Sequence, residues 1–223
     1  FLNNLLGVSR YLPIYEADQL LSVLPLYHAL EFSCGFLMPI YGGSTITYLR
    51  SLKPRIILET MRETGTTCML GVPTLYSLIR DDIDRRILGS SKSTLKSNLL
   101  ATSKQLSKSI ERTFGRNVGK KIFARVHQEF GGQIRIFVTG GSSLGEELYE
   151  DFKALGMPLS EGYGLTETAP VLTVNPLNRS RKGSAGKPLP GIELRISQPD
   201  EDGIGEIIGG SQRIHDYDLL EKR

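Results

Sequence analysis

The sequence predicts an α/β fold of mostly parallel sheets flanked by helices, and three observations carry that expectation. Short β-branched or apolar runs alternate with stretches bounded by Pro and Gly whose apolar residues recur at helical spacing. Residues 134–160 read strand–loop–helix–strand, an order that calls for a parallel, right-handed crossover. The 223 residues, 39% hydrophobic and 23% charged with net charge +3, suit one large globular domain.

The elements follow in order. Residues 20–24 form an apolar run ending at Pro25, read as a buried strand. A helix is expected over 28–38, closed before Pro39 and followed by the Gly42-Gly43 turn. The β-branched run 44–48 reads as a strand. Pro54 suits a first helical position, Ile57, Leu58 and Met61 recur at helical spacing, and Gly65 stops that helix. Residues 66–71 read as another buried strand, and Pro73 opens a helix with Leu75, Leu78 and Ile79 on one face. In the last unit, 134–139 is a strand, 140–143 a tight turn, 145–155 a helix capped by Gly156, and 157–160 the start of a second strand.

Residues 91–130 differ in charge, with nine Lys and Arg against Glu111 and Glu129. Leu95, Leu99, Leu106, Ile110 and Phe114, then Val118, Ile122, Val126 and Phe130, keep roughly helical spacing. Amphipathic helices with a basic outer face are therefore expected. That face is either a solvated surface or a contact for anionic lipid or nucleic acid. No base-reading motif supports the nucleic-acid alternative, and no nucleic-acid partner is expected.

Composition excludes a disordered tail, a collagen-like fibre and a strongly basic nucleic-acid packager. Cys34 and Cys68 stand apart without a Cys-x-x-Cys, and the three histidines show no His-x-x-x-His spacing. A disulfide framework or a cysteine-based zinc site is not expected, and a reducing, cytoplasmic setting is. The apolar stretch 20–41 is interrupted by Pro25, His28, Glu31 and Pro39, so no spanning helix is expected there. No signal peptide is visible.

Two loops concentrate the chemistry. In Glu161-Gly162-Tyr163-Gly164-Leu165-Thr166-Glu167-Thr168, directly after a strand, the glycines let the backbone turn and approach a ligand closely. Tyr163 offers a flat face to a planar base. Thr166 supplies a hydroxyl for a phosphate oxygen, and Glu167 is a hard oxygen ligand of the kind Mg²⁺ takes beside substrate phosphates. Gly140-Gly141 presents backbone amides and carbonyls at the neighbouring strand end, suited to a purine edge. Ligands in such sheets sit outside the carboxyl ends of the strands, so both loops are expected to face one crevice.

The octapeptide EGYGLTET resembles the signature of the adenylate-forming, AMP-binding superfamily of acyl-CoA synthetases, peptide-synthetase adenylation domains and luciferases. The resemblance extends in the family's order to LPLYHALEFSCGFLMPIYGGSTI (24–46), GVPTLYSLI (71–79), FGGQIRIFVTGGSSL (130–144), GKPLPGIELRI (186–196) and GIGEI (203–207). The LPLYH-x-x-E-F form and the basic helical insertion look most like the bacterial long-chain fatty acyl-CoA synthetase branch.

The resemblance implies a two-step reaction. A carboxylate oxygen attacks the α-phosphorus of Mg·ATP, releasing pyrophosphate and leaving an acyl-adenylate. The thiol of coenzyme A then displaces AMP. It implies that Gly140, Gly141 and Ser142 line the adenine with Glu161, Gly162 and Tyr163, beside Gly164. Thr166 would touch the α-phosphate and Glu167 would hold Mg²⁺. His28 would orient or gate the substrate, part of 26–40 would line an acyl tunnel, and Val72 and Pro73 would border it.

The family also has a Ser/Thr/Gly-rich phosphate loop ending in Pro-Lys, an Asp for the ribose hydroxyls and a small domain carrying a catalytic Lys. None of these occurs in the 223 residues, which begin at Phe1. Residues 1–210 are therefore expected to be a central part of the large domain, with 91–130 as the basic helical insertion. A divergent tail spans 211–223, including His215 and Asp216. Such a chain is expected to be inactive and marginally stable alone. The alternatives are a non-catalytic remnant that binds nucleotide weakly, or a ligase that hands the acyl group to a carrier protein. A cytoplasmic location is expected, with 91–130 open to peripheral membrane contact.

Overall fold

The computed structural model describes residues 1–88, 101–110, 118–177, 181 and 183–194. The expected tail, the GIGEI stretch and the apolar positions Leu95, Leu99 and Phe114 lie outside them.

Helix α1 (Leu2–Tyr11) precedes strand β1 (Gln19–Ser22). Seven π-helical residues (Glu31–Leu37) then run directly into α2 (Met38–Gly42), and β2 (Thr45–Tyr48) and α3 (Pro54–Thr64) follow. Next come β3 (Cys68–Gly71), α4 (Pro73–Leu88), a helix α5 over 101–110, α6 (Gly119–Ile122) and α7 (Ala124–Glu129). The unit β4 (Ile136–Thr139), α8 (Glu146–Ala154) and β5 (Leu159–Gly164) is followed by β6 (Val171–Val174) and β7 (Lys187–Pro188).

Among the described residues the strands form one seven-stranded sheet in the order β2-β1-β3-β4-β5-β6-β7. The first five are parallel, and β6 and β7 pair antiparallel. The central parallel strands β3 and β4 read as near-continuous apolar runs because both faces are covered. Successive residues point to opposite faces: Leu21, Met69 and Phe137 join the core under α3, α4, α7 and α8, whereas Leu20, Cys68 and Ile136 pack toward α1 and α2. The Tyr76, Phe137 and Phe152 rings meet edge-on at 5.4–5.6 Å. The Tyr76 hydroxyl lies 3.0 and 2.9 Å from the carbonyls of Met69 and Val138, tying α4 to β3 and β4.

Three expectations are corrected. The helix expected to close before Pro39 continues through it, because the change from π to α register puts Pro39 in a first turn, where a missing N–H is tolerated. EGYG is part of β5 rather than a loop, held by pairing with β6 on one side and β4 on the other. The basic segment is also turned around where it is described. In α5 it is Lys104, Ser107 and Lys108 that face the protein, while Leu106 is 53% exposed. Lys104 pairs with Asp84 and Asp151 at 3.3 and 3.4 Å, and Lys108 with Glu150 at 3.4 Å. Further on, the break between α6 and α7 at Phe123 shifts the helical phase, so Phe123 is buried and Ile122 is exposed.

Among the described residues no helix is long and apolar enough to cross a membrane.

Candidate functional site

The site is built at the carboxyl edge of the parallel strands, where β1, β3, β4 and β5 release four loops side by side. After β4 the chain turns at Gly141, whose φ of 84° is a left-handed conformation that favours glycine. Gly140 is buried, whereas Gly141, Ser142 and Ser143 are exposed. The loop is latched to β5 by one side chain: the Leu144 amide donates to Glu161 Oε1 at 2.9 Å. Burial raises the Glu161 carboxyl, and that hydrogen bond opposes the rise. Strand alternation places Tyr163 on the same face as Glu161. The Glu161 latch and the Tyr163 ring therefore share one side of the sheet.

Beyond β5 the chain makes a single 3₁₀ turn, Thr166–Thr168, that lifts Thr166 and Glu167 to the surface. Thr168 fixes this turn. Its Oγ1 accepts the Leu165 amide at 2.9 Å, with the carbonyls of Leu165 and Pro170 at 2.8 and 2.9 Å as acceptors for its hydrogen. Gly164 is required by close approach, since a Cβ there would collide with the Pro170 carbonyl. Asn4 of α1 secures the returning strand, donating to the Val171 carbonyl at 2.5 Å and accepting its amide at 3.3 Å. Asn4 escapes sequence reasoning because it serves backbone groups of Val171 that only the fold brings near.

His28 stands at the same edge in the loop after β1, exposed, its ring 4.5 Å from that of Tyr27. Two residues on, Leu30 packs against the loop after β4: a Cβ on Gly140 would lie 3.0 Å from Leu30 Cδ2. Val72 borders that loop as well, 4.0 Å from the Cβ position of Gly141. An apolar cavity opens beneath, and of the segment 26–40 it takes Leu30, Cys34 and Met38 into its lining. Val72 and Pro73 are not part of that lining, because the start of α4 lies over the other face of the sheet.

Glu31 is the buried charge of this region. It is 0% exposed and bonded to Ser22 Oγ, and its Oε2 has no partner. Burial pushes its carboxyl up to about 7. Gly35 makes room for it, since a Cβ there would strike the carboxyl group.

Among the described residues no three His, Cys, Asp or Glu side chains cluster for a metal. An exposed carboxylate such as Glu167 fits Mg²⁺ that keeps most of its ligands as waters and phosphate oxygens.

Curated relatives are similar over most of this chain. A long-chain-fatty-acid–[acyl-carrier-protein] ligase of Arabidopsis thaliana is 26% identical over 91% of the chain and 32% of its own length. Long-chain-fatty-acid–CoA ligases of Gallus gallus and Mycobacterium bovis are 26% and 25% identical over 94% and 87% of the chain, and 29% and 34% of their own lengths. The chain thus spans about a third of the length of the relatives it matches. Among solved structures, ATP-bound MatB from Rhodopseudomonas palustris shares the fold with TM-score 0.63 at 23% identity, over 90% of this chain and 31% of that one. MenE from Bacillus subtilis in complex with ATP and magnesium shares it with TM-score 0.60 at 20% identity, over 91% and 33%. The model of the family described as AMP-binding enzyme matches residues 1–212, nearly the whole of this sheet and the loops at its carboxyl edge, and the chain belongs to the AMP-binding enzyme family.

Proposed function

We propose that the chain forms the adenylation site of an ATP-dependent fatty acyl-CoA ligase. One observation carries the reading: the Gly140–Ser143 turn, the Tyr163 ring, the Thr166–Glu167 turn and the mouth of an apolar cavity converge on one sheet edge. In this reading the purine lies between the Gly141 turn and Tyr163, and Thr166 donates to the α-phosphate. His28 orients the incoming carboxylate, while Leu30 separates the acyl tail from the nucleotide. Glu167 would hold Mg²⁺, and that ion would supply positive charge to offset the phosphate oxygens. The nucleophile is already an anion, so positioning and charge neutralisation dominate. Because the chain spans about a third of its relatives' length, very low turnover by the chain alone is part of the proposal, and its test is binding.

Titration with a fluorescent AMP analogue is expected to show saturable binding. Tyr163→Ala should weaken it roughly 10-fold, in line with about 1–3 kcal/mol for base–aromatic stacking. Wild-type binding that is absent, or unchanged in Tyr163→Ala, would sink the adenylation reading. The carrier-protein alternative is favoured by the Arabidopsis relative, named for that acceptor. Presenting coenzyme A and a phosphopantetheinyl carrier protein to a version of the chain extended with the flanking segments of its relatives separates the two acceptors.

A further inference from the structure

Loop 23–30 leaves β1 at Ser22 and returns to the sheet edge at Glu31, and a side-chain hydrogen bond joins its two ends: Ser22 Oγ donates to Glu31 Oε1. Between them the chain turns tightly, with the His28 amide donating to the Pro25 carbonyl at 3.0 Å. Pro25, Leu26, Tyr27 and His28 are all exposed. A cavity of about 290 Å³ flanks the base of the loop, between 22–25 on one side and 48–52 on the other. The loop is therefore held by its base rather than by its tip.

That base is a buried acid with too few partners. Ser22 and Glu31 are 3% and 0% exposed. Ser22 has one proton to donate and gives it to Oε1, which leaves Oε2 without a partner. The titratable groups in electrostatic reach are the Cys34 thiol of the same segment and the Tyr76 phenol of α4, both kept neutral by burial. Of the elements packed against it, β1 presents Ser22 and β3 presents Cys68 on that face, while α1 buries Asn4, Leu5, Gly7 and Val8. Among the described residues no cation pairs with Glu31. A protonated carboxyl here costs one unmade hydrogen bond; a carboxylate would be a full charge facing a single donor, which costs far more.

The backbone that carries Glu31 can give. Residues Glu31–Leu37 are π-helical, a geometry that occurs in single turns and gathers at functional positions. Of the five buried side-chain atoms without a partner among the described residues, Glu31 Oε2 and Ser33 Oγ both belong to this segment. Gly35 lies against the carboxyl, where a Cβ would strike it, and its backbone is not left-handed. It is the seat of the carboxyl, not the conformation, that calls for glycine there.

We propose that Ser22 and Glu31 form a proton-operated latch on loop 23–30. While the carboxyl keeps its proton the latch is closed, and His28 and Leu30 are held at the sheet edge beside Gly140. Loss of that proton to solvent breaks the Ser22 bond, and the carboxylate leaves for water with the first turn of the π-helical segment, freeing the loop. The latch goes beyond the adenylation reading and stands without it: the AMP titration tests that site, and backbone exchange tests the latch.

Amide hydrogen exchange of the 223-residue chain between pH 5 and 8.5, corrected for intrinsic rates, is the measurement, with β4 as the internal reference. Protection over 28–37 should fall about tenfold per pH unit up to about pH 7, the weight of one proton, and then level off. It should lie below the protection of β4 throughout. Glu31→Gln keeps an acceptor for Ser22 and should remove the slope. Gly35→Ala opens the latch without pH: protection over 28–37 at pH 5 should drop at least 10-fold, while continued protection of β4 shows that the variant is folded. A slope that survives in Glu31→Gln, or exchange over 28–37 no faster than in β4, would overturn the latch. So would full protection of 28–37 in Gly35→Ala.

Discussion

Glu31 shows how a single residue is read differently by sequence and by structure. In the sequence it merely interrupts an apolar run; in the fold it is a buried carboxyl whose one bonded partner is Ser22 Oγ at the end of β1. Its carboxyl titrates at about 7 in the fold and near 4.5 in the unfolded chain, so the native state holds the extra proton between those values. The stability linked to Glu31 is complete below about pH 4.5, falls as pH rises toward 7, and is lost above it. Glu31→Gln removes the titration. The stability difference between variant and wild type, from denaturant midpoints, should therefore shift in favour of the variant by about 3 kcal/mol between pH 4.5 and 8. A pH-independent difference would show that the carboxyl is not held neutral. Gly141 is the opposite case, legible in the sequence because a tight turn after a strand calls for glycine, and its φ of 84° bears this out.

At the scale of elements, apolar periodicity located β1, β3, β4, α3 and α8 to within two residues, with Gly65 and Gly156 both left-handed at the ends expected of them. It misjudged α5, because a helix with few apolar residues can be held by charge. The acids of α4 and α8 attract the lysines of α5, and Leu106 is left outside. Lys104, 12% exposed at its side chain, is the centre of that contact. Lys104→Glu should loosen α5 by about 1–3 kcal/mol, the worth of a charged hydrogen bond and of the unpaired acids left behind. The readout is faster amide hydrogen exchange over 101–110 with exchange in β4 unchanged. Equal protection in the variant would mean that packing rather than charge holds the helix. This pairing also uses part of the positive face once available to anionic lipid.

At the scale of the whole molecule, the two thiols report on both sides of the fold's inner layer. Cys34 lines the cavity and Cys68 sits in the sheet beneath it. Burial, with the nearby charge of Glu31, pushes the Cys34 thiol up to about 12, and burial pushes Cys68 up to about 11. The thiolate is the reactive form, so both should resist iodoacetamide at pH 8 in the native state and react together on unfolding. Mass-spectrometric labelling against denaturant concentration checks this; rapid native labelling of Cys34 would show that the cavity is open to water. The surface also carries an aromatic patch, with Phe1, Phe32 and Phe36 rings 5.8 and 5.9 Å apart in sequence of contact.

The sequence by itself determined the α/β class, the parallel crossover and the tight turn after β4, because these depend on local preference: apolar runs and turn glycines. Only the tertiary structure decided that EGYG is a paired strand, that Asn4 holds the strand returning beyond it, that Glu31 is buried and that Arg135 pairs with Asp18. Each of those joins groups distant in the chain, Asn4 to Val171 and Asp18 to Arg135 among them, and the partner of a buried polar group is set by which strands lie side by side.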